Sequence, residues 1–217
     1  MRFYIEMSSE QLLHKLRESK QLQFLLEYSD VPETDAVCFI DLINSTEIAS
    51  SMPSEKMVKY YEIFLNSIAQ IAESFNANII KNLGDSILFY FQDNKKKELL
   101  FFENCMDCCM AIMNKKSEIN SKMKKEGLPN VNFRVSVDYG EILLGKISTS
   151  YVDDIIGEPV DRCYDMNHLG MPDELVTGEK LYNEISSSKK YTFSKHKESN
   201  KIFNGEYEVY SVKKEDS

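Results

Sequence analysis

The chain has 217 residues, of which 42% are hydrophobic and 28% charged, enough to bury a core in one domain with a small extension. Lys and Arg total 26 against 35 Asp and Glu, a net charge of −9. That balance excludes a general nucleic-acid binder, which needs a basic footprint, and argues against electrostatic docking on an anionic membrane. Any polyanionic ligand must be met locally, by a few placed cations or by metal ions.

The N-terminal MRFYIEMSSEQ contains no signal-peptide core. Apolar runs such as Ile87 to Phe91 fall far short of the ~20 residues of a spanning helix. The expectation is a cytoplasmic protein with no membrane insertion, whose five Cys stay reduced.

In chain order, residues 8–29 read as a helix, capped by Ser8 and Ser9, with Leu12, Leu13 and Leu16 on its apolar stripe. Ala36 to Ile43 is a nearly continuous apolar run, read as a buried strand and interrupted by Asp41. Asn44-Ser45-Thr46 supply capping residues. Ser54 to Phe75 places Met57, Tyr60, Phe64 and Ile68 at helical spacing. Asn78 to Phe91 reads as a hairpin turning at Gly84-Asp85. Glu98 to Gly127 reads as a second long helix, stopped by Gly127-Leu128-Pro129. Val131 to Asp138 alternates, and a second hairpin is predicted to turn at Tyr139-Gly140. A short helix near 158–169, a short strand, a short helix and a terminal hairpin near 191–212 complete the chain. The organisation is a helical extension over 1–34 and one folded domain over 35–217. The fold class is α+β: a ferredoxin-like βαββαβ core with helices on one face of the sheet, an extra N-terminal helix and a C-terminal hairpin.

Two carboxylates sit where carboxylates are costly. Asp41 lies inside an apolar strand and Asp85 at the tip of an apolar hairpin. Either alone reads as a turn cap. In a βαββαβ sheet, however, the first strand's end and the hairpin tip are neighbours. Together with the Leu42 carbonyl they offer a hard oxygen site suited to Mg²⁺ or Mn²⁺. Ile43, Asn44, Ser45 and Thr46 would present backbone N–H groups to a phosphate. Paired Asp, divalent ions and a phosphate loop describe phosphoryl or nucleotidyl transfer.

Phe39 to Thr46 (FIDLINST) resembles the first metal motif of class III nucleotidyl cyclases. Lys81 to Ser86 (KNLGDS) resembles their Lys-x-x-Gly-Asp hairpin. Arg134 to Ile142 looks like their Arg-x-Gly-x-x-x-Gly hairpin, and Asp154 to Val160 like their Asp-x-x-Gly-x-x-Val. Glu206 to Val212 resembles the closing strand. The resemblance covers about residues 35–212.

It implies that the ribose 3′-hydroxyl of a nucleoside triphosphate attacks its own α-phosphorus, releasing pyrophosphate and a 3′,5′-cyclic monophosphate. Two divalent ions per site, Mg²⁺ or Mn²⁺, would be held by Asp41, Leu42 and Asp85. Ile43 to Thr46 and Arg134 would bind substrate. Lys81 and Asp154 match the pair that reads adenine in adenylate cyclases. The family's sites form between two protomers, which implies a homodimer.

Two positions depart from the family. Its ribose-positioning Asn and its α-phosphate Arg are replaced by Asp161 and Asp165. Arg162, Lys146 and Lys201 are the candidate substitute cations. Short stand-alone forms are similar to bacterial pyrimidine cyclases of anti-phage signalling. The expectation is therefore a pyrimidine cyclase making cyclic UMP or cyclic CMP for a cyclic-nucleotide-binding effector. The alternatives are an adenylate cyclase and a homologue that binds nucleotide without turnover. A diguanylate cyclase is set aside because Leu83-Gly84-Asp85-Ser86-Ile87 lacks that family's hairpin motif. Cys105, Cys108 and Cys109 read as core packing, and His14, His168 and His196 receive no catalytic role.

Overall fold

The computed structural model describes residues 26–94, 98–147 and 153–214. Among the described residues, nine strands form one connected sheet system. β1 is Leu26–Tyr28, β2 Glu33–Leu42, β3 Asn78–Leu83, β4 Ser86–Phe91 and β5 Phe133–Ile147. β6 is Asp153–Ile156, β7 Leu175–Gly178, β8 Tyr191–Lys195 and β9 Val209–Lys214. The helices are α1 (Ser45–Ser50), α2 (Ser54–Ser74), α3 (Leu99–Asn114), α4 (Lys116–Lys125), α5 (Glu158–Leu169) and α6 (Glu179–Ile185).

The main path runs β3-β4-β2-β5-β7-β9-β8, with β1 and β6 flanking the far half of β5. β2 is central, paired antiparallel to β4 from Ala36↔Phe91 to Asp41↔Ser86 and to β5 from Glu33↔Ile142 to Leu42↔Phe133. β8 and β9 pair antiparallel at the C-terminal edge.

The alternation of β2 sorts the molecule into two cores. Ala36, Cys38, Ile40 and Leu42 face Phe64 and Ile68 of α2 and Phe102 and Met106 of α3. Val37 and Phe39 belong to a second core, with Cys163 and Met166 of α5 and Ile155 of β6. The expectation of helices on one face is therefore corrected: α5 covers the other. All five Cys are buried, and Cys38 Sγ lies 3.7 Å from Cys109 Sγ and 4.0 Å from Cys105 Sγ. Burial pushes the Cys38 thiol up, as an inert core thiol requires.

Other boundaries differ from expectation. Of the predicted 8–29 helix, residues 8–25 lie outside the described residues. Leu26–Tyr28 is a strand, held by Leu26↔Ile147 to Tyr28↔Gly145 pairing. The sheet thus begins before residue 35. The second long helix is two, divided at Lys115. No hairpin turns at Tyr139-Gly140: β5 continues through both, pairing Tyr139 with Ala36 and Gly140 with Asp35. Gly140 serves close packing instead, because a Cβ there would lie 2.9 Å from Pro159 Cγ. The hairpin is made further on, where Gly145 pairs with Asp154. Its second arm, β6, packs back against β3. No helix among the described residues is long and apolar enough to cross a membrane.

α5 is fixed to β5 by a buried ion pair. Arg162 Nε donates to Asp138 Oδ2, and both side chains are nearly inaccessible. Tyr207 donates to the same carboxylate and lies under the guanidinium, 4.6 Å from ring centroid to Arg162 Cζ. Removing one partner strands a buried charge, which costs about 3–5 kcal/mol. Arg162→Ala is therefore expected to lower the thermal midpoint by on the order of 10 °C. Lys180→Ala, at an exposed ion pair with Glu158, should change it little. Thermal denaturation followed by circular dichroism checks both, and equal midpoints would refute the assignment.

Candidate active site

Asp41 is the penultimate residue of β2, and its register partners are Ser86 on β4 and Arg134 on β5. That places it beside the β3–β4 turn. The turn needs Gly84 in the left-handed region, φ +68°, and it presents Asp85 next to Ser86. The two carboxylates expected to be neighbours are neighbours. Burial and the charge of Asp85 both push the Asp41 carboxyl above its ordinary value, while Arg134 pulls it down.

Two partners compensate the pair. Arg134 Nη2 donates to Asp41 Oδ2 at 3.2 Å, and Ser45 Oγ donates to Asp85 Oδ2. Ser45 is buried, whereas Asn44 and Thr46 are exposed. Asn44 adopts a left-handed conformation, φ 57°, and its carbonyl accepts the Ile48 N–H as α1 begins. Ile43 N–H donates to Asn132 O at 2.8 Å, so it is already occupied. Leu42 closes β2, its side chain buried in the first core.

A divalent cation fits this edge in its donor chemistry. Two hard carboxylates held side by side are stabilised by a shared cation. Among the described residues, no group of three or more His, Cys, Asp or Glu side chains gathers to hold a metal. The donor set on offer is therefore the Asp pair with backbone carbonyls such as that of Leu42.

The remaining predicted residues stand on β3 and β6. Lys81 is the cross-strand partner of Leu88 on β4, and Leu88 pairs in turn with Phe39. Asp154 stands on β6, which packs against β3, the strand of Lys81. The Asp154 carboxylate accepts from Tyr28 Oη at 3.0 Å. Beside these strands is a cleft of about 400 Å³ lined by Phe39, Leu88, Val160, Asp161, Tyr164 and Asp165. Tyr164 stands edge-on to Phe39, 5.7 Å between centroids.

Arg162 does not face this cleft. Its pairing with Asp138 turns it into the domain, so it cannot replace the missing phosphate cation. Lys146 is exposed at the far end of β5, and Lys201 pairs with Glu198. Sequence reading missed three contacts. Ser45 reaching Asp85 reads only as a cap in sequence. Tyr28 sits inside a helix-like pattern, and its bond to Asp154 needs the β1–β5 pairing. His168 stands close enough to favour the ionised form of Asp41. No spacing rule signals it, because α5 and β2 are distant in the chain.

The model of the adenylate and guanylate cyclase catalytic domain matches residues 28–214. A cytidylate cyclase of Staphylococcus aureus is 19% identical over 76% of this chain. The matched region spans 40% of that relative's length. The adenylyl cyclase CyaB from P. aeruginosa has the same fold, at TM-score 0.74 and 17% identity over 90% of this chain and 98% of that one. The guanylate cyclase domain of RhGC from Catenaria anguillulae, solved in complex with GTP, superposes at TM-score 0.70 and 16% identity, covering 85% and 98% of the two chains. With its βαββαβ core, its Asp41–Asp85 edge and a family match across all but the two ends, this chain belongs to the adenylate and guanylate cyclase catalytic-domain family.

Proposed function

We propose that this cyclase domain converts a pyrimidine nucleoside triphosphate, CTP or UTP, to its 3′,5′-cyclic monophosphate and pyrophosphate. The observation that carries the reading is the apposition of Asp41 and Asp85 at one sheet edge, with Arg134 between sheet and solvent. The similarity to a cytidylate cyclase supports the pyrimidine choice. Lys81 and Asp154, on adjoining strands, favour adenylate cyclase as the second reading.

Asp41, Asp85 and the Leu42 carbonyl would hold two divalent ions, Mg²⁺ or Mn²⁺. When bound, these lower the pKa of the attacking 3′-hydroxyl and neutralise the triphosphate. Arg134 occupies Asp41 in the free protein. Once that carboxylate is shared with a cation, the guanidinium is free to turn to phosphate oxygens, which it suits as a fork-shaped donor. Asn44 and Thr46 are the exposed members of the phosphate loop, while Ser45 keeps Asp85 oriented. Lys81 and Asp154 would offer a donor and an acceptor to the base edge. Tyr28 holds the Asp154 carboxylate in one orientation.

The site is completed by a second copy of the chain. Tyr164 on α5 and Ile156 at the end of β6 are 53% and 41% exposed. Large apolar groups left in water are suited to a partner surface. The cyclic product would act in the cytoplasm as a second messenger in anti-phage defence, read by a cyclic-nucleotide-binding effector.

Mass spectrometry of products from ATP, GTP, CTP and UTP with Mn²⁺ tests the reaction, and a cyclic pyrimidine nucleotide is expected. Cyclic AMP alone would support the second reading; no product in dimeric protein would refute turnover. Asp41→Ala and Asp85→Ala are each expected to lower turnover by at least about a hundredfold while the thermal midpoint changes little. Both side chains lie at the sheet edge and neither fills a core. Full activity in either variant would remove that residue from the metal site.

A further inference from the structure

Asp35 is a buried carboxyl group that the reaction above does not use. It lies near the start of β2, at the strand end remote from Asp41, and is only 1% exposed. Its Oδ1 accepts the Asp93 N–H at 2.8 Å, which ties β2 to the chain leaving β4. Its Oδ2 is closed to solvent and has no hydrogen-bond partner. The charged groups nearby are acids. Glu33 precedes it on β2, Asp93 follows β4, and Glu141 lies across the ladder on β5. From α5 and α6, Glu158 and Glu184 line an adjoining cleft, where Lys180 is already paired with Glu158. Tyr139 donates to Asp93 Oδ2 at 2.8 Å, and burial pushes its phenol up, so it remains a donor.

Asp35 therefore has one donor and no counter-charge among the described residues. Ionised, it holds a nearly unsolvated charge, which costs far more than a neutral hydroxyl left without an acceptor. Burial pushes its carboxyl up to about 6, against the pull of the Asp93 N–H and with the charges of Glu33 and Asp93. A metal ion is a poor candidate for the missing partner, because no group of three His, Cys, Asp or Glu among the described residues gathers to hold one. With Oδ2 shut off from water, a proton is the cation small enough to reach it.

We propose that Asp35 is a proton-operated lock on the connection from β4 to α3. In its neutral form the carboxyl keeps the Asp93 N–H, while Tyr139 keeps the Asp93 carboxylate. In its ionised form it is repelled by Glu33 and Asp93. It then draws water from the cleft of about 530 Å³ that Thr34, Gln92, Asn94 and Tyr139 line beside it, and the bond to Asp93 loosens. Tyr139 also stands edge-on to Phe102 of α3, 4.9 Å between centroids, so the start of α3 shares the change. The lock is independent of whether the domain turns over nucleotide.

The folded carboxyl lies above its ordinary value of 3.8, so its stabilising contribution is full below about 4 and is lost as pH rises through about 6. Asp35→Asn keeps an oxygen for the Asp93 N–H and has no charge to acquire. Thermal midpoints of the full chain and this variant are expected to agree near pH 4.5. They should separate as pH rises, the variant standing about 3–6 °C higher near pH 7.5. A gap that does not widen with pH, or a variant that is the less stable near pH 7.5, overturns the inference. The ¹³C carboxyl resonance of Asp35 in the unmodified chain gives a reading that does not depend on the variant: a titration midpoint above about 5 supports the lock, and a lower one overturns it. The midpoints near pH 7.5 are then repeated with Mg²⁺ and with spermidine. A rise confined to the wild type shows a larger cation on the carboxylate and overturns the proton as its occupant. An equal response in both proteins supports it.

Discussion

The buried pair between Asp138 and Arg162 is the contact on which the working face depends. A carboxylate and a guanidinium out of water are tolerable only when each satisfies the other. Here the Tyr207 hydroxyl and ring complete the enclosure. The pair lies where β5 passes beneath α5. Close approach is possible because Gly157, at φ +154°, begins the helix where a Cβ would lie 2.5 Å from the Glu141 carbonyl oxygen. The same helix carries Val160, Asp161, Tyr164 and Asp165, so the pair fixes the height and rotation of one wall of the cleft. Asn167 adds a second tether, its amide donating to the Phe39 carbonyl at 3.2 Å. A helix held by a buried ion pair and a backbone bond has little freedom to rotate.

The Asp41–Asp85 edge is built on the opposite principle. Asp41 and Asp85 are not enclosed by a dedicated counter-charge; they share the services of Arg134 and Ser45 at a half-open sheet end. Two carboxylates in this setting store mutual repulsion that a divalent cation relieves. Arg134 limits the cost in the free protein without satisfying both acids. The arrangement is stable enough to fold and incomplete enough to bind. In a chain of net charge −9, attraction for a triphosphate cannot come from the overall field. Any such attraction has to be local.

Much of this was legible in the sequence, for physical reasons. β2 and β4 are apolar on both faces, and a strand buried on both sides reads as a continuous run. A lone Asp inside such a run cannot be incidental, which is why Asp41 and Asp85 stood out. Gly140 misled because glycine in a strand signals either a turn or a close approach, and only the position of Pro159 above it decides between them. Arg162 looked available because its partner Asp138 is 24 residues away in the chain. The strand at Leu26–Tyr28 was hidden for the same reason: three residues carry no periodicity, and their partners lie beyond residue 144. Local pattern reveals elements, whereas ion pairs and short strands are settled by the ladder.

The two departures from the family pattern follow from this division of labour. Position 162 faces the core and is committed to Asp138, so α5 can present to ligand only the residues of its other side. Positions 161 and 165 are on that side, and both are acids. A cation at 165 would sit one turn from Asp161, within reach of a local ion pair, and the cleft would lose an acceptor. Two acids together cannot neutralise one another. The exposed side of α5 thus carries acids, while the cation beside Asp41 is Arg134 on the sheet edge.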